Sequence, residues 1–189
     1  MSRRPSTSAF GAALVIAATL AVAAPTAAHQ RGTGVRGGSG VVSTYGVGPH
    51  HFETTAPAGI RAFAGAPSSV AYQNGTGGSS GPKGAVWQIW TYAFTGGSYV
   101  QYSFHHSHGK WHFSEFNTNR KQFRTPGGSR VGTTYQQAKK REDAPYIQGC
   151  IDSGFWHFRD GHRYDLVIGV NPGHRVHALH AAGPGATPC

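Results

Sequence analysis

The segment 105–112 (HHSHGKWH) has the densest group of imidazoles in the chain, and imidazole nitrogens bind divalent metals such as zinc and copper. A strand end followed by a tight turn could bring His105, His108 and His112 together on one ion. Lys110 would repel that ion, and a polar turn at the rim of a sheet is the alternative. We therefore treat the three histidines as a hypothetical metal site and expect no other cofactor.

The aromatic side chains form a second group, larger than one face of a small sheet can bury. Exposed aromatic rings beside basic groups are typical of protein-binding hot spots, and such rings also stack on sugars. Trp87 and Trp90 must point to opposite faces of a strand because they are three positions apart. The alternative is that the rings cover the edges of the core. The candidate binding residues are Trp87, Trp90, Tyr92, Tyr99, Trp111, Phe113, Trp156 and Arg175.

A catalytic site finds less support. Ser107 and Lys110 match the Ser-x-x-Lys spacing of penicillin-recognising enzymes, but that motif must open a helix and here it falls between strands. Only seven Asp and Glu residues are available for paired-carboxylate chemistry. We predict a non-catalytic protein, with a small secreted hydrolase as an alternative.

Strands dominate the predicted secondary structure. Glycine turns separate three aromatic runs, which predicts an antiparallel meander over 86–94, 98–106 and 110–116. In the second run Val100, Tyr102 and Phe104 share one face, which should be the core face. Three further strands are predicted at 154–158, 163–170 and 174–180.

Two short helices precede these strands. Hydroxyl residues in 54–57 are expected to cap the first, which ends at Gly65. Thr133 and Thr134 are expected to cap the second, which Pro145 stops. Each half of the chain thus predicts a short capped helix followed by three or four antiparallel strands.

The N-terminus predicts export. Arg3 and Arg4 precede an apolar run, which is typical of a secretory signal peptide at 1–28, and a glycine-rich flexible leader follows at 29–45. No later segment is long enough for a transmembrane segment. The formal charge of +10 favours an acidic protein or an anionic cell-envelope polymer over nucleic acid, although codon bias alone would also explain a basic chain. We expect a secreted, extracellular protein.

The two cysteines, Cys150 and Cys189, would reside where disulfides persist. An intramolecular bridge would tie the C-terminus to the second half of the chain and could contribute about 3–4 kcal/mol. The alternative is a free or intermolecular terminal cysteine.

The segment 131–138 (VGTTYQQA) resembles the signature of the repeat shared by β-lactamase-inhibitory proteins and the SmpA/OmlA assembly lipoproteins, and 60–67 (IRAFAGAP) resembles its helix end. The resemblance implies an α+β fold of two tandem units, 46–125 and 126–189, whose strands form one continuous sheet with the helices on one face. It also implies an inhibitor that grips an enzyme with its open sheet face.

The function predicted from the sequence is a secreted binding protein that contacts an extracellular protein through an aromatic and basic sheet face. Inhibition of a β-lactamase or another cell-wall enzyme is one version of this function. The alternative is a cell-envelope module that binds anionic polymer, and the hydrolase remains a third possibility. A broad, shallow aromatic patch would favour binding, whereas a deep site with a carboxylate–histidine pair would favour an enzyme.

Overall fold

A computed structural model describes residues 35–75, 78–79, 81–148, 153–158 and 164–183. All of these residues belong to one compact unit. No helix in this part of the chain has both the length and the apolar character needed to cross a membrane. The predicted signal peptide at 1–28 lies outside the described residues, as do Cys150 and Cys189 with their predicted disulfide.

The described part of the chain contains twelve strands, two α-helices and one 3-10 helical turn at Thr95–Gly97. The strands are β1 (Gly40–Ser43), β2 (Gly46–Val47), β3 (His50–His51), β4 (Ser69–Gln73), β5 (Trp87–Ala93), β6 (Tyr99–Ser107), β7 (Lys110–Thr118), β8 (Phe123–Arg124), β9 (Tyr146–Gln148), β10 (Ser153–Phe158), β11 (Tyr164–Gly169) and β12 (Ala178–Ala182). The helices are α1 (Pro57–Ala64) and α2 (Tyr135–Arg141).

The larger sheet has eight antiparallel strands in the order β4-β5-β6-β7-β12-β11-β10-β9. The strands β4 to β7 follow one another as a meander, and β9 to β12 do the same. The last strand of each meander joins the two, because β12 pairs antiparallel with β7 from Leu179 opposite Thr118 to Ala182 opposite Glu115. This pairing makes β7 and β12 the centre of the sheet.

The smaller sheet has four strands in the order β3-β2-β1-β8, with β1 parallel to β8. Its Val42, Val47 and Phe123 are fully buried in the same apolar cluster as residues of both helices and of the larger sheet. Gly46 makes its tight hairpin possible, because a Cβ at this position would lie 1.9 Å from the carbonyl oxygen of His50. The smaller sheet and the helices therefore share one core with a single face of the larger sheet.

The predicted α+β fold of two tandem helix-strand units is wrong. The protein is mostly β, with a four-stranded mixed sheet and an eight-stranded antiparallel sheet. The helices are only eight and seven residues long, and the strands supply most of the buried side chains. The residues of β1 to β3 build the second sheet, although the sequence prediction had placed β1 in the flexible leader 29–45.

The local predictions have mixed outcomes. The Thr134 cap of α2 is confirmed, since its hydroxyl accepts a hydrogen bond from the Gln137 amide and the Gln137 side chain accepts one from the Thr134 amide. The predicted hydroxyl cap of α1 is wrong, because the N-cap residue is Ala56 and Pro57 begins the helix without a side-chain cap. The strand β4 was not predicted.

Candidate functional site

The two faces of the larger sheet differ in what covers them. Val100, Tyr102 and Phe104 of β6 are fully buried on the core face, as predicted. The opposite face of β5, β6 and β7 carries half-buried side chains, and we call it the open face. The open face includes Lys110 at its edge and Trp87, Ile89, Thr91, Tyr99, Gln101, His105, His112, Glu115 and Asn117.

One end of the open face is aromatic. Trp87 and His105 are cross-strand partners, and their ring centroids lie 4.9 Å apart. His112 lies opposite His105 on the next strand. Side chains held against each other in this way lose little conformational freedom on binding, so this end is preorganised for a contact.

The other end of the open face is polar and neutral. The Gln101 amide donates to the Thr91 hydroxyl at 3.2 Å, and the Tyr99 hydroxyl donates to the Asn117 side-chain oxygen at 3.3 Å. Asn117 in turn lies opposite His180 of β12. A row of amide, hydroxyl and imidazole groups therefore crosses four neighbouring strands and offers both donors and acceptors.

Burial at the centre of the sheet favours uncharged side chains. Desolvation raises the pKa of Glu115 above its ordinary value and lowers the pKa of His180 to about 4. Both pKa values shift toward the uncharged form because water is partly excluded from the side chains of β7 and β12, which disfavours charge. The centre of this face is therefore suited to apolar and hydrogen-bonding contacts rather than to ion pairs.

His180 is expected to remain neutral down to about pH 5, because burial lowers its pKa to about 4. Between the unfolded-state pKa of about 6.5 and the folded value, the unfolded chain binds more protons, so stability falls as the pH falls through this window. NMR titration of the His180 ring signals measures its midpoint. A His180 midpoint near 6.5 would contradict the burial described above.

Of the predicted binding residues, Trp87 and Tyr99 lie on the open face. Trp90, Tyr92 and Phe113 lie in the core instead, with exposed fractions of 6%, 0% and 0%. Strand alternation correctly separates Trp87 from Trp90. The three core residues pack against other aromatic rings and are not accessible to a partner in this fold.

Of the remaining three candidates, Trp111 and Arg175 lie away from the open face, whereas Trp156 lies on the same side of the larger sheet but is buried there. Trp111 is half-buried at the end of β7, with its ring 4.8 Å from that of His106. Trp156 is buried in a small second cluster with Val167. Arg175 is exposed and donates to the Gly132 carbonyl at 2.8 Å. Arg175, the basic residue among the predicted binding residues, is therefore not part of the open face.

The predicted metal site is not formed. His105 and His112 face each other across two strands, while His108 lies in the turn with a φ of 49°. Within the described ranges, no group of three or more His, Cys, Asp or Glu side chains could hold a metal ion. The histidines contribute aromatic and hydrogen-bonding surface instead.

A carboxylate–histidine pair does occur, but away from the open face. The Glu142 carboxylate lies 3.1 Å from His157 Nε2 and also accepts hydrogen bonds from the Thr125 hydroxyl and the Ser129 amide. Burial alone would raise the pKa of Glu142, but these hydrogen bonds outweigh it and leave that pKa below its ordinary value. The Thr125 hydroxyl is bonded to the acid rather than to the histidine, so the pair does not activate it as a nucleophile.

Sequence alternation placed Gln101 on the face opposite the core, but it missed Asn117 and His180 on the same side of the sheet. Their alternation with the buried residues of β7 and β12 is the signal that could have found them. Comparison with known proteins adds no further assignment, because no protein-family model, curated protein or solved structure matches the chain. The protein is thus mostly β, and its larger sheet has one face buried in the core and one half-exposed face.

Proposed function

We propose that this protein is a secreted, non-catalytic binding protein that grips another extracellular protein with the open face. The observation that carries the proposal is the half-exposed surface of aromatic and neutral hydrogen-bonding groups on β5 to β7. Trp and Tyr are enriched among residues that dominate binding energy. The face spans three neighbouring strands.

The chemistry of the face favours a protein over an anionic polymer. Lys110 is the first residue of β7, directly after the turn that joins β6 to β7. It is the only Lys or Arg among the described residues of this face of β5 to β7. The shifts at Glu115 and His180 disfavour charge at the sheet centre. The open face would therefore attract a polymer of repeated negative charges only weakly. Its aromatic and neutral hydrogen-bonding groups would instead complement a protein loop with apolar and amide groups.

One version of the proposal is inhibition of a β-lactamase or a related cell-wall enzyme. It is supported by the resemblance of residues 131–138 and by the open face. An inhibitor of this kind would block access to the enzyme's active site without chemistry of its own. Purified enzymes of these classes, assayed with increasing protein, test this version directly.

Alanine substitution of Trp87 or Tyr99 is expected to weaken partner binding at least tenfold, because each ring would be an anchor of the contact. Tyr45→Ala is the matched control, since Tyr45 is 57% exposed on the smaller sheet. The partner protein is first captured from native culture supernatant on the immobilised wild-type protein. Surface plasmon resonance then measures its affinity for each of the three variants.

Equal losses for all three variants would contradict the assignment to the open face. Retention of the protein only on purified cell wall, insensitive to salt and without a protein partner, would contradict the proposal itself.

A further inference from the structure

A cluster of positive charge surrounds Phe94, where the β5–β6 turn meets the connection from β7 to β8. The guanidinium carbon of Arg120 lies 4.0 Å from the Phe94 ring centroid, and that of Arg36 lies 5.6 Å from it. Lys121 follows Arg120 in the chain and is exposed. One aromatic ring therefore holds two arginines in place, with a lysine beside them.

Neutral groups fix the orientation of Arg120. Its Nε donates to the Gln122 side-chain oxygen at 3.1 Å, and its Nη1 donates to the Ser98 hydroxyl at 3.3 Å. No carboxylate of the described residues forms an ion pair with Arg120, since the one ion pair there joins His157 to Glu142. Arg120 is thus held rigidly while its charge stays uncompensated, which is the preorganised state that an anion site requires.

A cleft of about 340 Å³ opens at this point. Its lining residues are Ser98, Asn119, Arg120, Lys121 and Gln122. Asn119 is already engaged, since its amide donates to the Gly97 carbonyl and its oxygen accepts from the Tyr99 amide. The groups left to contact a ligand are therefore mainly the guanidinium and the ammonium.

We infer that this cleft binds a phosphate group of an anionic polymer. The planar guanidinium matches two phosphate oxygens, and the neighbouring ammonium adds a point charge for a third. Arg36 continues the positive surface on the Phe94 ring, so a chain of repeated phosphates would meet more than one cation. Such a contact would hold the secreted protein near an anionic envelope while the aromatic end of the open face remains available.

The cleft is separate from the aromatic end of the open face. Ser98 precedes the first residue of β6, whereas His105 and Lys110 lie at the far end of the same hairpin, roughly 25 Å away by strand geometry. Failure of one proposal can therefore be told from failure of the other. Trp87→Ala should leave phosphate binding unchanged, and Arg120→Gln should leave the aromatic end of the open face intact.

The test measures binding of linear polyphosphate by isothermal titration at two salt concentrations. Lys121→Gln and Arg120→Gln are each expected to weaken binding about fivefold or more, with a smaller salt dependence, because fewer counterions are exchanged. Lys110→Gln removes the same charge from the opposite end of the hairpin and should weaken binding less than about twofold. Arg120→Lys should fall between wild type and Arg120→Gln.

Four results would overturn the inference. The first is that the wild-type protein does not bind polyphosphate. The second is that Lys110→Gln and Lys121→Gln weaken binding equally, which would mean that net charge rather than this cleft attracts the polyphosphate. Polyglutamate binding as tight as polyphosphate binding contradicts the phosphate assignment. Since Lys121 is exposed, Lys121→Gln should fold normally, so wild-type affinity in that variant also overturns the inference even if Arg120→Gln is unstable.

Discussion

Replacing Tyr102 with alanine is expected to lower the free energy of unfolding by about 3–5 kcal/mol. The ring is fully buried, and its centroid lies 5.8, 5.7 and 5.2 Å from those of Tyr92, Phe113 and Phe116. Its hydroxyl also donates to the buried Gly37 carbonyl at 2.8 Å, which ties the larger sheet to the segment that leads into β1. The substitution therefore removes packing and a hydrogen bond from the shared core.

Urea denaturation followed by circular dichroism measures this loss. Tyr102→Phe separates the two contributions, because it keeps the ring and leaves the Gly37 carbonyl without its donor, at a cost of about 1–3 kcal/mol. Tyr45→Ala makes the same chemical change at an exposed site and should cost less than about 0.5 kcal/mol. A Tyr102→Ala variant as stable as Tyr45→Ala would mean that the two sheets do not share this core.

Glu142→Ala is expected to cost about 3–5 kcal/mol, because it removes the acceptor shared by the buried Thr125 and Ser129 and the half-buried His157. Glu142 is 4% exposed and connects the turn containing Thr125 and Ser129 to His157 of β10. The neighbouring Asp143 is exposed, so Asp143→Ala is the matched control and should have little effect. Thermal or urea unfolding of the two variants checks the difference.

The contribution of Glu142 also depends on pH. Its pKa in the folded protein lies below that of the unfolded chain, so the unfolded chain binds more protons between the two values. The stabilisation is fully present above the unfolded-state pKa, about 4.5, and is lost as the pH falls through the folded-state pKa. Glu142→Ala should therefore flatten the acid limb of the stability curve. An unchanged acid limb would show that the carboxylate is not stabilised as described.

The sequence patterns predicted β5, β6, β7, β10 and β11 of the larger sheet, whereas the strand predicted at 174–180 overlaps β12 only from Ala178 to His180. Val100, Tyr102 and Phe104 follow the simple period of two, and all three lie in the core. The same period fails in β7, where Phe113 and Phe116 both face the core although they are three positions apart. A bulge opposite the step from Ser103 to Phe104 inserts one residue and restores the register.

The smaller sheet could not be read from the sequence. Its strands β2, β3 and β8 are two residues long and have no periodicity of their own, so only tertiary contacts stabilise them. The strand β4 escaped for a different reason. It is an edge strand in which Ser69, Val70 and Ala71 are exposed, so the alternating burial that identifies a strand is missing.

The candidate sites illustrate the same limit. Parity placed Trp87 and Trp90 on opposite faces, but only the fold decides which face the helices and the smaller sheet cover. The cleft around Arg120 has no local pattern at all, since hairpin register alone brings residues of two separate connections to the same place. Long-range pairing of this kind cannot be predicted from local sequence patterns.

Hydroxyl-radical footprinting of the protein with and without its partner tests whether the open face is the binding surface. We expect protection of Trp87, Tyr99, His105 and His112 on binding, and no change at Tyr45 and Phe158, which are exposed elsewhere. Protection of Tyr45 or Phe158 with no change at Trp87 and Tyr99 would place the partner on another surface and contradict binding through the open face.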